Sequence, residues 1–455
     1  MYRGRPWALG TLAALVAAPA GALAAPAVAM PPHHGHIRHV VVIYQENHSF
    51  DNVFGRLCVQ TGRCDGATRE RLPNGSRVSL RTSPDVVPQV GHTTKAQLEA
   101  IDEGRMDGWT QISGCSRNDR HGCLTQFSPR QIPNLTRLAS HFALSDRTFQ
   151  MDSVPTWGAH LELVAATLDG FLGDRAPYPT GSALNHMGWG CDSRLDASWR
   201  ASADDPMTSE PSCVPDYSLD PTRFPYGGAY RPTPVQHVPT LMDELDRKGL
   251  GWKLYAASKP GESGYGWSIC PTFAGCLYTS QQRHQVQQST VLKDAREGRL
   301  PNFSVVLPTW KTSQHNAESM ALGDNWIGTV VGAIEHGPDW RSTAIFITYD
   351  DCGCFYDHVP PPPGLGIRTP MVIVSPWVKA HKVDSHEASV ASMLAFTERT
   401  FDLPALTGRD AAAYGYRRAF DFSQRPLRTV RMGQTDVPRA ERKRLARAGR
   451  SPGAT

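Results

Sequence analysis

The sequence predicts an α/β fold: a mainly parallel β-sheet sandwiched by helices, with one long irregular insertion. Two observations point there. Short apolar, β-branched runs recur along the chain, and each stops at turn residues or a polar cluster. Stretches with helical periodicity fill the intervals, so strand and helix alternate, as in a sheet covered on both faces.

The first run, residues 39–44, reads as a buried strand, as do 303–307, 343–349 and 371–374. Residues 252–255 form a weaker run, and a further strand is expected over 142–149. Helical patterns cover 92–103, 159–168, 239–248, 325–335 and 387–401. Residues 178–231 break the alternation. They are rich in Gly, Pro, Ser, Asp and Trp and have little periodicity, which marks the insertion, carried within the same domain.

With 40% hydrophobic and 20% charged residues in 455, the chain is neither disordered, collagen-like nor coiled-coil. A net charge of +4 is too small for a general nucleic-acid binder, so nucleic acid is not an expected partner. The positive charge is also localised. Residues 425–455 hold nine basic and two acidic side chains, a net of +7, while the body from 30 to 424 is at −5. This tail reads as a solvated or partly helical extension. Its clustered Lys and Arg suit a transient contact with an anionic membrane surface.

Residues 1–29 read as a secretory signal peptide. Arg3 and Arg5 precede an apolar run over 8–22 that is too short to span a bilayer comfortably, and small-residue cleavage patterns end at Ala24 and Ala29. The expectation is a soluble protein that is secreted or periplasmic after cleavage, with the catalytic domain over 30–424. The ten cysteines agree, because each falls near a partner in sequence, as neighbour-to-neighbour disulfides require. Cys352-Gly353-Cys354 is the exception. A bridge across one residue is strained, so these two are expected to pair elsewhere.

The polar residues cluster at strand ends. The first strand runs into Glu46-Asn47-His48-Ser49-Phe50-Asp51-Asn52, and the run over 343–349 ends in Asp350-Asp351. Ligand sites of open α/β sheets lie outside the carboxyl ends of the strands. If these strands are neighbours, three carboxylates, Glu46, Asp350 and Asp351, converge in one cleft with Asn47. They repel unless a cation neutralises them, and an all-oxygen set suits a hard divalent ion. A nucleophile is offered by Thr156 in Ser153-Val154-Pro155-Thr156-Trp157-Gly158-Ala159-His160, just ahead of a helical pattern. A hydroxyl at a helix N-terminus lies where free N–H groups and the helix dipole favour an anion.

Four stretches resemble motifs of the bacterial phosphoesterase family that contains secreted phospholipases C and acid phosphatases. They are His39 to Gly55; Gly91-His92 with Met106-Asp107-Gly108-Trp109; Leu300 to Ser304 with Gln314-His315; and Thr348 to Pro362, which includes Asp357-His358-Val359. The resemblance covers roughly residues 36–403. It implies an alkaline-phosphatase-like fold, with Glu46, Asn47, Asp350, Asp351 and Thr156 as ligands of a divalent metal, whether calcium, magnesium, manganese or zinc. It also implies Thr156 as nucleophile and His92, His315 and His358 as catalytic histidines near the phosphate. The family usually reads T-x-P-N-R around the nucleophile; here Ala159 replaces an asparagine and His160 a fixed positive charge.

The expected activity is a secreted, metal-dependent phosphoesterase whose substrate is a phosphate ester. The motif set leans to phospholipase C acting on phospholipid head groups, with an acid phosphatase acting on soluble monoesters as the alternative. A non-catalytic secreted binding protein on the same scaffold is the reading from another class, motivated by Ala159 and His160. Trp189, Trp199, Tyr217, Tyr226 and Tyr230 in the insertion are candidates for a choline-binding cage through cation–π contacts.

Overall fold

The computed structural model describes residues 36–116, 121–175, 189–193, 195–219 and 233–448. Its centre is an eight-stranded sheet. In order across it run Gln285–Val286, Trp252–Tyr255, Phe303–Val306, His39–Gln45, Thr343–Tyr349, Met371–Val374, Ala143–Ser145 and Lys382–Asp384. Met371–Val374 is antiparallel to both neighbours, and every other pairing is parallel. The mainly parallel sheet is therefore present, with one reversed strand. An apolar run cannot reveal its own direction, because a strand covered on both faces buries the same residues either way.

His39–Gln45 sits mid-sheet, with its residues from Val40 to Gln45 buried. Successive side chains of a strand face opposite sides, so both faces are covered. The flanking helices form two packed groups. Pro133–His141 and Thr290–Arg296 pack on Met320–Glu335, while Leu241–Lys248 and Val390–Phe401 pack on Thr156–Ala165.

Local chemistry sets the boundaries. The helix expected over 159–168 starts at Thr156, behind extended Pro155, and stops at Ala166 in the left-handed region. Met320–Glu335 begins earlier than its apolar pattern because Ser319 accepts from the Leu322 N–H. Leu241–Lys248 opens on a Thr240/Asp243 capping box and closes on left-handed Gly249. The strand expected over 142–149 splits into Ala143–Ser145 and Thr148–Phe149, the latter paired with Ala388–Ser389.

The insertion is less irregular than its composition implies. Asp196–Trp199 pairs antiparallel with Thr208–Pro211 and with Phe171–Arg175, giving a small three-stranded sheet. The aromatic cage is not assembled by the described residues. Trp189 stacks on Trp157 with centroids 5.0 Å apart, Trp199 donates its indole N–H to the Asp169 carbonyl, and Tyr217 donates to the Val235 carbonyl. Tyr226 and Tyr230 lie outside the described residues, as does the signal segment. No helix among the described residues is long and apolar enough to cross a membrane.

The basic tail is helical over Arg439–Ala448, but ahead of that helix it is not a free, solvated end. The backbone of Gly433 exchanges hydrogen bonds with the Asn134 amide, and that of Thr435 does so with the Asn325 amide. Val430 donates its N–H to Glu335, and the side chains of Val430, Val437 and Leu445 are buried. The sequence signal was charge, whereas the contacts are made by backbone and by three apolar side chains. Deleting residues 425–455 is expected to destabilise the body by about 3 kcal/mol or more through lost apolar burial. A thermal melt of the truncated chain checks this; an unchanged midpoint contradicts it.

Disulfides join Cys58–Cys64, Cys115–Cys123, Cys191–Cys213 and Cys270–Cys276, each between neighbours in sequence as expected. Cys352 and Cys354 do not pair elsewhere. They are free, buried thiols with their sulfurs 3.5 Å apart.

Candidate active site

The sheet register assembles the site. His39–Gln45 and Thr343–Tyr349 run parallel in register up to Gln45 opposite Tyr349. The residues that follow, Glu46-Asn47 and Asp350-Asp351, therefore emerge side by side at the carboxyl ends. The Asp350 N–H donates to the Gln45 carbonyl (3.0 Å), and the Asn47 N–H donates to Asp350 Oδ1 (2.9 Å). Asn47 makes the turn in the left-handed region, φ 57°. Gly353, at φ 52°, lets the second loop close on it, since a Cβ there would lie 2.2 Å from the Asn47 carbonyl oxygen.

All three carboxylates are buried. Burial, then Asp350 and Asp351, push the Glu46 carboxyl well above its ordinary range; burial, then Asp350, do the same to Asp351. Glu46 Oε1, Asp350 Oδ2 and Asp351 Oδ2 have no hydrogen-bond partner. Buried polar atoms are normally satisfied, so three orphaned acceptors on adjoining loops form a group that could hold a cation.

Thr156 is the first residue of its helix, and its hydroxyl lies 3.4 Å from Glu46 Oε2. The opening N–H groups of that helix have no intrahelical partners. With its nitrogen toward the acids, the Asn47 amide donates to Glu46 Oε2 (2.7 Å) and Asp350 Oδ1 (3.2 Å) and accepts from His92 Nε2 (2.7 Å). His92 and His315 meet edge to face with centroids 5.6 Å apart. His315 Nδ1 lies 2.9 Å from the Asn316 carbonyl, and Nε2 is buried without a partner. Burial, then His92, pull the His315 pKa down to about 4, so the ring is a neutral proton acceptor.

The structure thus brings together Glu46, Asn47, Asp350, Asp351, Thr156, His92 and His315. It adds His160, which the sequence offered only as a departure from a pattern. His160 Nε2 lies 3.6 Å from Glu46 Oε1, and with Asp350 these residues form a group of mutually close metal-type donors. The signal was available: residues 156 and 160 are one helical turn apart and share a face.

His358 is placed elsewhere. Its Nδ1 is hydrogen-bonded to Asp51, its Nε2 lies 3.0 Å from Asp65 Oδ1, and Asp357 is close by. The centre of this second cluster is filled by the buried Arg368 guanidinium. It bonds Asp357 (3.1 Å), pairs with Asp51 (3.4 Å) and donates to the carbonyls of Asp65 and Asp146. The cluster is a balanced ion network, with both ring nitrogens of His358 committed to it. Burial pushes the His358 pKa down, but the hydrogen bond and charge of Asp51, then Asp357, outweigh this and hold it at about 9.

A histidine whose folded pKa lies above its unfolded value adds stability below the unfolded pKa of about 6.5, and that contribution is lost as pH rises through about 9. Urea midpoints are therefore expected to fall between pH 7 and pH 10, and to fall less in His358→Gln. Equal falls in the two proteins contradict the assignment.

A family model described as the Phosphoesterase family matches residues 37–404. Non-specific phospholipase C6 of Arabidopsis thaliana is 32% identical, over 83% of this chain and 71% of its own length. Non-specific phospholipase C1 of the same plant is 26% identical, over 87% of this chain and 73% of its own. Hemolytic phospholipase C of Pseudomonas aeruginosa is 24% identical, over 89% of this chain but only 58% of its own length. With a family match over most of its length and the acidic motifs joined at the strand ends, the chain belongs to the phosphoesterase family and is a hydrolase acting on phosphoric ester bonds.

Proposed function

We propose that this chain is an exported, metal-dependent phospholipase C-type enzyme, with an alkaline-phosphatase-like catalytic domain over residues 30–424. One observation carries the proposal: the three orphaned carboxylate oxygens of Glu46, Asp350 and Asp351, with the Thr156 hydroxyl beside them at a helix N-terminus. The lean to phospholipid over soluble monoester rests on the names of the relatives. Four disulfides support export to an oxidising compartment.

Glu46, Asp350 and Asp351 would hold a divalent cation, with the Thr156 hydroxyl and, after a turn of its amide, the Asn47 oxygen. Such an ion supplies charge neutralisation at the phosphoryl oxygens and lowers the proton affinity of the hydroxyl. Thr156 Oγ1 attacks phosphorus in line, the ester oxygen leaves, and a phosphothreonine ester forms. The first N–H groups of the helix hold the phosphoryl oxygens. His315 Nε2, bare and facing no competing donor, accepts a proton, and the His92–His315 pair returns one to the leaving alkoxide. Water then opens the phosphothreonine. His358 acts on none of these atoms; it positions the 50–52 and 357–359 segments through Asp51.

The test compares diacylglycerol release from phosphatidylcholine vesicles and hydrolysis of p-nitrophenyl phosphorylcholine with hydrolysis of p-nitrophenyl phosphate, each with and without chelator. Chelator-sensitive turnover of the vesicles and the diester supports the proposal. Efficient monoester turnover with inert vesicles would mean an acid phosphatase, and chelator-insensitive turnover would overturn the metal dependence.

A further inference from the structure

We propose that His160 is itself a ligand of the metal, and that it converts an all-oxygen site into a mixed nitrogen–oxygen site suited to zinc or a similar transition ion rather than to calcium or magnesium. This rests on the metal-dependent reading above and deepens it.

The helix Thr156–Ala165 carries both residues that face Glu46. Residues four apart on a helix lie one above the other on the same face. Thr156 Oγ1 accordingly meets Glu46 Oε2 at 3.4 Å, and His160 Nε2 meets the other oxygen, Oε1, at 3.6 Å. One carboxylate thus spans the nucleophile and the imidazole.

The contact with His160 is not a hydrogen bond. A charge-assisted N–H···O bond would close to about 2.8 Å. His160 Nε2 and Glu46 Oε1 are both buried, and neither has a hydrogen-bond partner. Two adjacent ligands bound at about 2.1 Å to one ion lie about 3.0–3.4 Å from each other, the shorter for six ligands and the longer for four. The observed 3.6 Å lies just outside that range, so a small approach would let the two donors share one ion. Asp350 completes the set: one donor atom from each of Glu46, His160 and Asp350 lies within 4.8 Å of the others.

The ring is also held in place. Tyr44 packs against it with centroids 5.0 Å apart, and the Tyr44 hydroxyl donates to the Ala159 carbonyl, which fixes the packing face to the same helical turn. A cationic role for His160, replacing the lost arginine charge, would favour a direct hydrogen bond to Glu46, and the 3.6 Å gap is longer than one.

The consequence is selectivity. Calcium and magnesium take oxygen ligands, whereas imidazole suits zinc and its transition-metal neighbours.

The test uses the full chain after stripping with chelator. Zinc and calcium are titrated by calorimetry into the wild type and into His160→Ala, His160→Asn and Glu46→Ala. Zinc X-ray absorption then reports imidazole scattering from the bound ion. The wild type is expected to bind zinc at least 100-fold more tightly than calcium and to show one imidazole. His160→Ala and His160→Asn are expected to lose 10- to 100-fold in zinc affinity, to lose the imidazole signature, and to keep calcium affinity within threefold. Thermal melts verify that the variants are folded, with the near-isosteric asparagine as the second check.

Retention of imidazole scattering and zinc affinity in both variants would overturn the inference, as would an equal loss for calcium, which would make His160 a positioning residue only. If the wild type binds neither ion, or Glu46→Ala binds both as well as the wild type does, the metal-dependent reading itself fails, and this inference fails with it.

Discussion

Thr156→Ala is expected to lower kcat by roughly 10⁴-fold, the scale on which loss of an activated nucleophile is felt. The variant should remain folded. Thr156 is not the capping residue of its helix, because Pro155 precedes it as N-cap, and alanine is a good helix former. The lost contact is a single long hydrogen bond to Glu46, at 3.4 Å, so the stability change should be within about 1 kcal/mol. Thr156→Ser should retain part of the activity because the hydroxyl stays, and Ser153→Ala should be mild. Steady-state kinetics on a p-nitrophenyl ester, with thermal melts beside them, separate loss of chemistry from loss of fold. Full activity in Thr156→Ala would mean that water attacks phosphorus directly.

Arg368→Met should have the largest effect on stability. Arg368 is wholly buried, faces the carboxylates of Asp357 and Asp51, and lies over the Phe50 ring at 4.3 Å. Removing its charge strands two buried acids, at a cost of about 3–5 kcal/mol. Asp357 is already raised to about 6, chiefly by burial and against the pull of Arg368. The penalty should therefore shrink when Asp51→Asn and Asp357→Asn are added, because the stranded charges are then gone. Urea denaturation of the single and triple variants measures this. A single variant as stable as the wild type would mean that the network is energetically idle. The Arg368 carbonyl also accepts from the Phe50 N–H, so the network fastens the loop that carries Glu46 and Asn47 to the segment after Asp351.

Much of this architecture is legible in the residues. Buried strands announce themselves as apolar runs, and acids placed just beyond two of them mark the carboxyl ends, so the sequence itself groups Glu46, Asn47, Asp350 and Asp351. Strand direction could not be read, because the apolar pattern of Met371–Val374 is the same whichever way it runs. The surroundings of His358 are hidden for a related reason. Its motif neighbours the site in sequence, but the partner that decides its environment, Arg368, carries no local signal and reaches Asp51 across 317 positions. The small sheet in the insertion was hidden because its strands are short, polar and half-exposed, so they lack alternation. His160 was visible as a residue and as a helical neighbour of Thr156. In sequence it reads as a loss of positive charge, and only the position of Glu46 between the two side chains shows what it faces.

In the proposed mechanism Thr156, set among the acids, takes the phosphoryl moiety from the substrate. This step is tested most directly by acid-quenching the enzyme during turnover of a p-nitrophenyl phosphate ester and mapping the protein by peptide mass spectrometry. The substrate's phosphoryl group is expected on Thr156, absent without substrate and absent in Thr156→Ala. An unmodified Thr156 peptide during rapid turnover, with the phosphoryl group on no residue, would contradict it.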